Sequence, residues 1–180
     1  MQTLRLRQLT SYSPITASPV SCSRSAQRRD AGVSRSCSTA TVEPQKTIHY
    51  ATHVVFSSEC LRESTGATDL TEGLKRIASN TDAFIAVSNG PEDILYLEGD
   101  AVRRLPVFSI VAVDPLGAGD AFHGGFALAL AEGQGEVEAM RFGAAVAGIK
   151  CTRLGGSAGT PKRSEVEALI AEYRLPVAAQ

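Results

Sequence analysis

A glycine-rich stretch that ends in an aspartate is the part of this sequence best suited to chemistry. Residues 117–120 read Gly-Ala-Gly-Asp. Gly117 and Gly119 can adopt backbone conformations that a β-carbon would forbid, so they let a phosphate approach the main chain closely. If a helix opens around Ala118, its first N–H groups and the positive end of its dipole face the same ligand. The pattern indicates an anion site in which Asp120 could take a proton from an attacking hydroxyl.

An ordinary strand-to-helix turn is the alternative interpretation of the same residues. Asp120 would then be only a first-turn carboxylate that complements the helix dipole. His123 lies three residues further on, roughly on the same helical face, and could act as an acid–base partner. A histidine beside two glycines is, however, more often a packing residue. The residues on both sides of the loop distinguish between these interpretations.

The segments on both sides of the loop predict strands that alternate with helices. The predicted strands are 52–57, 83–88, 94–97, 101–105 and 107–113, and the predicted helices are 59–64, 70–79, 121–131, 137–152 and 165–173. The last predicted strand leads directly into the glycine loop. This alternation predicts an α/β domain with a largely parallel sheet.

The first 47 residues differ in composition from the rest of the chain. They hold seven Lys or Arg against two acids, whereas residues 48–180 hold eleven against seventeen. Ser, Thr, Arg and Pro dominate them without a helical or strand period, so we predict an irregular leader at 1–47, a domain at 48–175 and a tail at 176–180. The leader resembles an organelle transit peptide, or it is unrelated sequence ahead of the domain.

Composition also limits the partners. The four cysteines form no CxxC pair, and no apolar run approaches the roughly 20 residues of a membrane helix. The net charge of −1 gives no reason to expect a nucleic-acid partner. We therefore expect a cytoplasmic protein that binds a small molecule, or an organellar one if the leader is a transit peptide.

The strand end, loop and helix at 111–130 resemble the second signature of the ribokinase-like (PfkB) sugar kinases. That signature reads Asp-Thr-x-Gly-Ala-Gly-Asp before a helix of small and aromatic residues. The matching residues are Asp114, Gly117, Ala118, Gly119, Asp120, Phe122 and Gly125. The resemblance implies a ribokinase-like three-layer α/β sandwich, truncated at its N-terminal side. It also implies ATP and Mg²⁺ as cofactors, a sugar substrate, an anion hole at 117–119 and Asp120 as catalytic base, with a homodimer as one possible assembly.

This likeness extends over about residues 52–173 and implies further nucleotide contacts. Kinases of this family contact the nucleotide with a strand that ends in Gly, and with a small-residue helix that ends in a Gly-rich turn and a Pro. The residues implied are Asp114, Ser88, Gly90, Ala147, Lys150, Gly155 and Gly156. Close core packing also explains the small residues of the helix, and both explanations can hold together.

Two positions depart from the family pattern. Pro115 stands where Thr is usual and removes a hydroxyl from a loop that the family uses for a monovalent cation, so activation by such a cation is left open. The family's Asn-x-x-Glu motif, which helps to arrange Mg²⁺, reads Ser57 and Cys60 here, with Glu59 as the nearby carboxylate and candidate metal ligand. The second departure favours a fructose- or sulfofructose-type branch.

The family's sugar-binding N-terminal half is not recognisable in residues 1–47. We therefore expect little or no kinase activity from this polypeptide alone, because phosphoryl transfer depends on positioning both reactants. A non-catalytic remnant that binds nucleotide is a second hypothesis. A nucleoside or hydroxymethylpyrimidine-type kinase of the same superfamily is a third.

Overall fold

A computed structural model describes Cys37–Thr39, Ile48 and residues 51–173. The predicted tail and most of the predicted leader lie outside these residues. Three residues of the leader, Cys37–Thr39, nevertheless form a strand that pairs with the sheet. None of the helices in the described ranges is long and apolar enough to cross a membrane.

Within the described residues, five strands form one sheet whose spatial order follows the sequence. They are β1 (Cys37–Thr39), β2 (His53–Ser57), β3 (Phe84–Asn89), β4 (Glu92–Glu98) and β5 (Ala101–Leu105). β1, β2 and β3 run parallel, whereas β3, β4 and β5 form antiparallel hairpins. The described sheet is therefore mixed, with two parallel and two antiparallel pairings, and not largely parallel as the alternation of strands and helices predicted, because β3, β4 and β5 follow one another as hairpins.

Two short helices carry the chain from β2 back to the start of β3. α1 (Ser58–Thr65) begins where Ser57 accepts a hydrogen bond from the Cys60 N–H, at 3.1 Å. α2 (Leu70–Ala78) begins at Asp69, whose carboxylate accepts from the Glu72 N–H at 2.9 Å. Parallel strands need such a crossover, since a tight turn can join only antiparallel ones.

Three helices cover the other face of the sheet. They are α3 (Ala118–Ala131), α4 (Glu136–Cys151) and α5 (Arg163–Glu172), with a 3₁₀ turn at Gly156–Gly159 before α5. Alternate residues of β2 point to opposite faces, so Val55 belongs to a core with α3 and α4 while Phe56 belongs to a core with α1 and α2. The two cores confirm the predicted three-layer α/β sandwich, and four of the predicted strands and all five predicted helices are present.

The predicted strand at 107–113 is wrong, since no residue between 106 and 117 is helical or in a strand. Valine is β-branched and favours strands. Val111 and Val113 are nevertheless 85% and 58% exposed and do not pack as a buried strand would. The N–H groups of Val113 and Asp114 bind the carbonyl of Cys151 at the end of α4, at 2.7 and 3.0 Å. The segment is thus held by a helix end and not by a neighbouring strand.

Candidate active site

Helix α3 opens inside the glycine loop. Gly117 is the residue before its first turn, with φ 78° and ψ 10°, a left-handed conformation that favours glycine. No side chain caps this end, although the Ala121 N–H donates to the Gly117 carbonyl at 3.0 Å. A β-carbon on Gly119 would meet nothing within 4 Å. The first turn therefore presents main-chain N–H groups and the positive dipole end beside open space, as the glycine pattern predicted.

Asp120 lies in this first turn and is exposed. It borders a cavity of about 410 Å³ that lies between α3, α4 and the start of α5. Leu128, Val146 and Pro161 contribute apolar surface to the same cavity. The carboxylate of Asp120 can therefore meet a ligand that approaches the start of α3.

Asp114 closes the loop at its other end. Its Oδ1 accepts from the Leu116 N–H at 3.0 Å, and its Oδ2 accepts from Gly155 at 3.1 Å and Gly156 at 3.4 Å. The pKa of this carboxyl lies below its ordinary value, first because of the Leu116 bond and then because of the two glycine bonds, although burial opposes the shift. Asp114 thus fastens the glycine loop to the Gly155–Gly156 turn, both of whose residues have positive φ.

Lys150, in the last turn of α4, belongs to the same cluster. Its side chain is 1% exposed, and its Nζ donates to the main-chain oxygen of Asp114 at 2.7 Å. The Asp114 Oδ2 is 3.6 Å from the same nitrogen. Ala147, one turn earlier, is half-buried beside Gly148 on α4. The structure therefore brings Asp114, Lys150, Gly155 and Gly156 together next to the start of α3.

Ser88 and Gly90 lie at a different place, the carboxyl end of β3. The Ser88 hydroxyl donates to the Phe56 carbonyl at 3.3 Å, and Gly90 forms the exposed turn to β4 with φ 60°. No hydrogen bond among the described residues joins either of them to the Asp114 cluster.

Glu59 is exposed in the first turn of α1, at the end of the neighbouring strand β2. The two positions that replace the Asn-x-x-Glu motif, Ser57 and Cys60, form the helix cap described above. Within the described ranges, no group of three or more His, Cys, Asp and Glu side chains could hold a metal ion.

His123, which the sequence analysis weighed as an acid–base partner or a packing residue, makes one contact that sequence reasoning did not predict. Its Nδ1 lies 2.7 Å from the Gly119 carbonyl and its Nε2 lies 3.2 Å from the Val55 carbonyl. The ring thus lies between the first turn of α3 and strand β2, within hydrogen-bond distance of a carbonyl on each. The four-residue spacing between Gly119 and His123 was visible in the sequence, but the contact with Val55 spans 68 positions and was not.

The three layers define an α/β protein in which an uncapped glycine loop leads into helix α3. A family model described as "pfkB family carbohydrate kinase" matches residues 21–163. The chain therefore belongs to the pfkB carbohydrate kinase family, and its fold is that of the ribokinases.

Known ribokinases are similar to this chain in sequence and in structure. The Bacillus subtilis ribokinase is 36% identical over 88 residues, which cover 49% of this chain and 30% of that enzyme. The Thermotoga maritima ribokinase structure has a TM-score of 0.66 and 29% identity, covering 71% of this chain and 44% of its own. The Arabidopsis thaliana ribokinase, described as complexed with ribose and ATP, has a TM-score of 0.64 at 22% identity, covering 71% and 43%. The chain thus spans less than half the length of these relatives.

Proposed function

We propose that this chain provides the nucleotide-binding part of an ATP-dependent sugar kinase, with Asp120 as the catalytic base. The observation that carries the proposal is the exposed carboxylate of Asp120 in the first turn of α3, directly after a glycine loop that no side chain caps. Membership of the pfkB carbohydrate kinase family supports a phosphoryl transfer at this place. The structure of the Arabidopsis thaliana ribokinase, which has the same fold, is described as complexed with ribose and ATP.

The loop residues would act on the transferring phosphoryl group. Negative charge on its oxygens would be stabilised by main-chain N–H groups at 117–119 and by the dipole of α3. Glycine at 119 leaves the open space that a phosphate needs. Asp120 would accept the proton of the sugar hydroxyl as its oxygen attacks the γ-phosphate.

The remaining predicted residues would hold the rest of the nucleotide. Ser88 and Gly90 would meet it from the end of β3, and Ala147 from α4. Mg²⁺ usually keeps several waters and is held by phosphates with one or two carboxylates, so Glu59 fits as a single protein ligand. When bound, the metal would neutralise part of the phosphate charge.

Binding of ATP tests where the phosphates lie. A β-carbon at Gly119 meets nothing within 4 Å, and Ala131 is exposed at the end of α3, outside the lining of the cavity that Asp120 borders, so valine at either position should leave the fold intact. The valine side chain at 119 would keep the phosphate away from the main-chain N–H groups. We expect Gly119→Val to weaken Mg²⁺-ATP binding, measured by calorimetry, by about tenfold or more for each N–H bond to phosphate that is lost. Ala131→Val, at the far end of α3 and outside the cavity lining, is the matched control. Equal affinities in the two variants would exclude the proposed phosphate position.

Turnover tests the role of Asp120. Asp120→Asn keeps the shape of the side chain but removes the base, so sugar-dependent ADP formation should fall by about 10²–10⁴-fold with nearly unchanged ATP affinity. The measurement uses the 180-residue chain and a fusion that supplies the remaining part of a ribokinase ahead of residue 48, with ribose and fructose as acceptors. A turnover number in Asp120→Asn equal to that of the parent fusion would refute this role.

A further inference from the structure

Lys150 is a buried cation that takes part in no step of the proposed reaction. Within the described residues, it and His53 are the buried polar or charged side chains. An ammonium inside a protein is tolerated only where hydrogen bonds and an opposite charge replace its water. The groups around Lys150 therefore indicate what the side chain does.

The groups that receive the Lys150 ammonium belong to Asp114, at the entry to the proposed phosphate loop. The Lys150 Nζ donates to the Asp114 main-chain oxygen at 2.7 Å and lies 3.6 Å from the Asp114 carboxylate. That carboxylate in turn accepts N–H bonds from Leu116, Gly155 and Gly156. One positive charge thus holds the carboxylate that joins the end of the glycine loop to the Gly-Gly turn.

The backbone reinforces this arrangement from the same helix end. The carbonyl of Cys151, the residue after Lys150, accepts the N–H groups of Val113 and Asp114. The last turn of α4 therefore orients the entry to the loop through its main chain and through the Lys150 side chain. Without the ammonium, the carboxylate of Asp114 would lose the one cation within ion-pair distance among the described residues.

We propose that Lys150 is a positioning residue, whose ammonium is the built-in cation of the glycine loop, so that the loop keeps its shape without a bound monovalent cation. A second cation beside the Asp114 carboxylate would meet the repulsion of the ammonium already there. Pro115, in the same loop, offers neither a hydroxyl nor an N–H. That the loop binds phosphate rests on the proposed function. The effect of Lys150 on the conformation of the loop does not depend on that function.

Amide hydrogen exchange measured on the full chain without nucleotide tests the inference directly. In the wild type, protection of the Leu116, Gly155 and Gly156 amides should be the same in KCl as in tetramethylammonium chloride at equal ionic strength. In Lys150→Met, exchange of these amides should rise about tenfold or more, while amides of β2, β3 and β4 keep their protection. Lys75→Met, at an exposed lysine of α2, is the control and should change none of them.

The role as a cation, in contrast to a role in packing, is tested by replacing the charge. In Lys150→Ala, ammonium or potassium ions should restore the protection of the three amides, whereas tetramethylammonium, which is too large, should not. Protection in the wild type that increases with potassium would overturn the proposal, as would unchanged exchange in Lys150→Met. If the neutral variants do not fold, Lys150→Arg serves instead. Its three amides must be as protected as in the wild type, and potassium must not change that protection. Loss of either property overturns the proposal. Since no step uses ATP, a failure of the proposed phosphate site would leave these results unaffected.

Discussion

Replacing Gly143 by alanine should destabilise the protein although alanine is the better helix former. Gly143 lies inside α4, where α4 crosses α3. A β-carbon there would lie 2.7 Å from the Phe122 carbonyl oxygen and 3.2 Å from the Phe126 nitrogen. Both contacts are backbone atoms of α3, and the buried rings of Phe122 and Phe126 hold this helix on the sheet. The clash therefore cannot be relieved by turning a flexible side chain.

The magnitude follows from two opposing effects. Glycine to alanine in a helix interior stabilises by about 1 kcal/mol, and an extra methyl in a packed site costs roughly 1–3 kcal/mol. Gly124→Ala, in α3, gains the helix propensity without the cost, because nothing lies within 4 Å of its β-carbon. The difference between the two variants therefore isolates the contact, and we expect Gly143→Ala to be less stable than Gly124→Ala by about 1–3 kcal/mol.

Urea unfolding followed by helical circular dichroism measures this difference. Both variants should unfold with the slope of the wild type, so that shifts in midpoint report stability alone. If Gly143→Ala is as stable as Gly124→Ala or more so, the two helices are not in contact at this distance and the packing argument is wrong.

Two further predictions concern single carboxylates. The pKa of Asp114 is held below its ordinary value of 3.8 by the N–H groups that it accepts, so the stability that it contributes is complete above this pH and is lost as the pH falls through the lowered pKa. A carbon NMR titration of this carboxyl with a midpoint at or above 3.8 would contradict the assignment. Asp69→Ala should remove the bond to the Glu72 N–H and cost about 1 kcal/mol of unfolding free energy. Asp82→Ala, at an exposed residue outside the helices, should change unfolding little, and equal effects of the two substitutions would exclude the cap.

The local sequence pattern predicted most of the helices and strands. The glycines at 117 and 119 predicted a helix after the loop, and α3 begins at Ala118, three residues before the predicted bound. The apolar run at 83–88 predicted β3, which has β2 and β4 as partners. The run at 107–113 looks equally like a strand, but a strand also needs a partner. The partner of Val113 is the carbonyl of Cys151, which no local pattern reveals.

The site shows the same division. The resemblance to sugar kinases placed Lys150 near the nucleotide because of its position on the helix. Its side chain is instead buried against Asp114, which lies 36 residues earlier in the chain. Contacts of this range depend on how α3 and α4 turn back on one another, so the charge partner of Lys150 could not be read from the sequence.

The bonds from Asp114 to Gly155 and Gly156 have a topological consequence. They join residues up to 42 positions apart in the chain, so the α3–α4 hairpin is closed at its base without a covalent link. Its opposite tip, Gly133–Gly135, is a short turn with both glycines exposed. Exposed loop tips tolerate insertions best, so a peptide tag or a fluorescent reporter would fit there while the base of the hairpin stays fastened. This tip thus offers a place to label the protein far along both helices from Asp120.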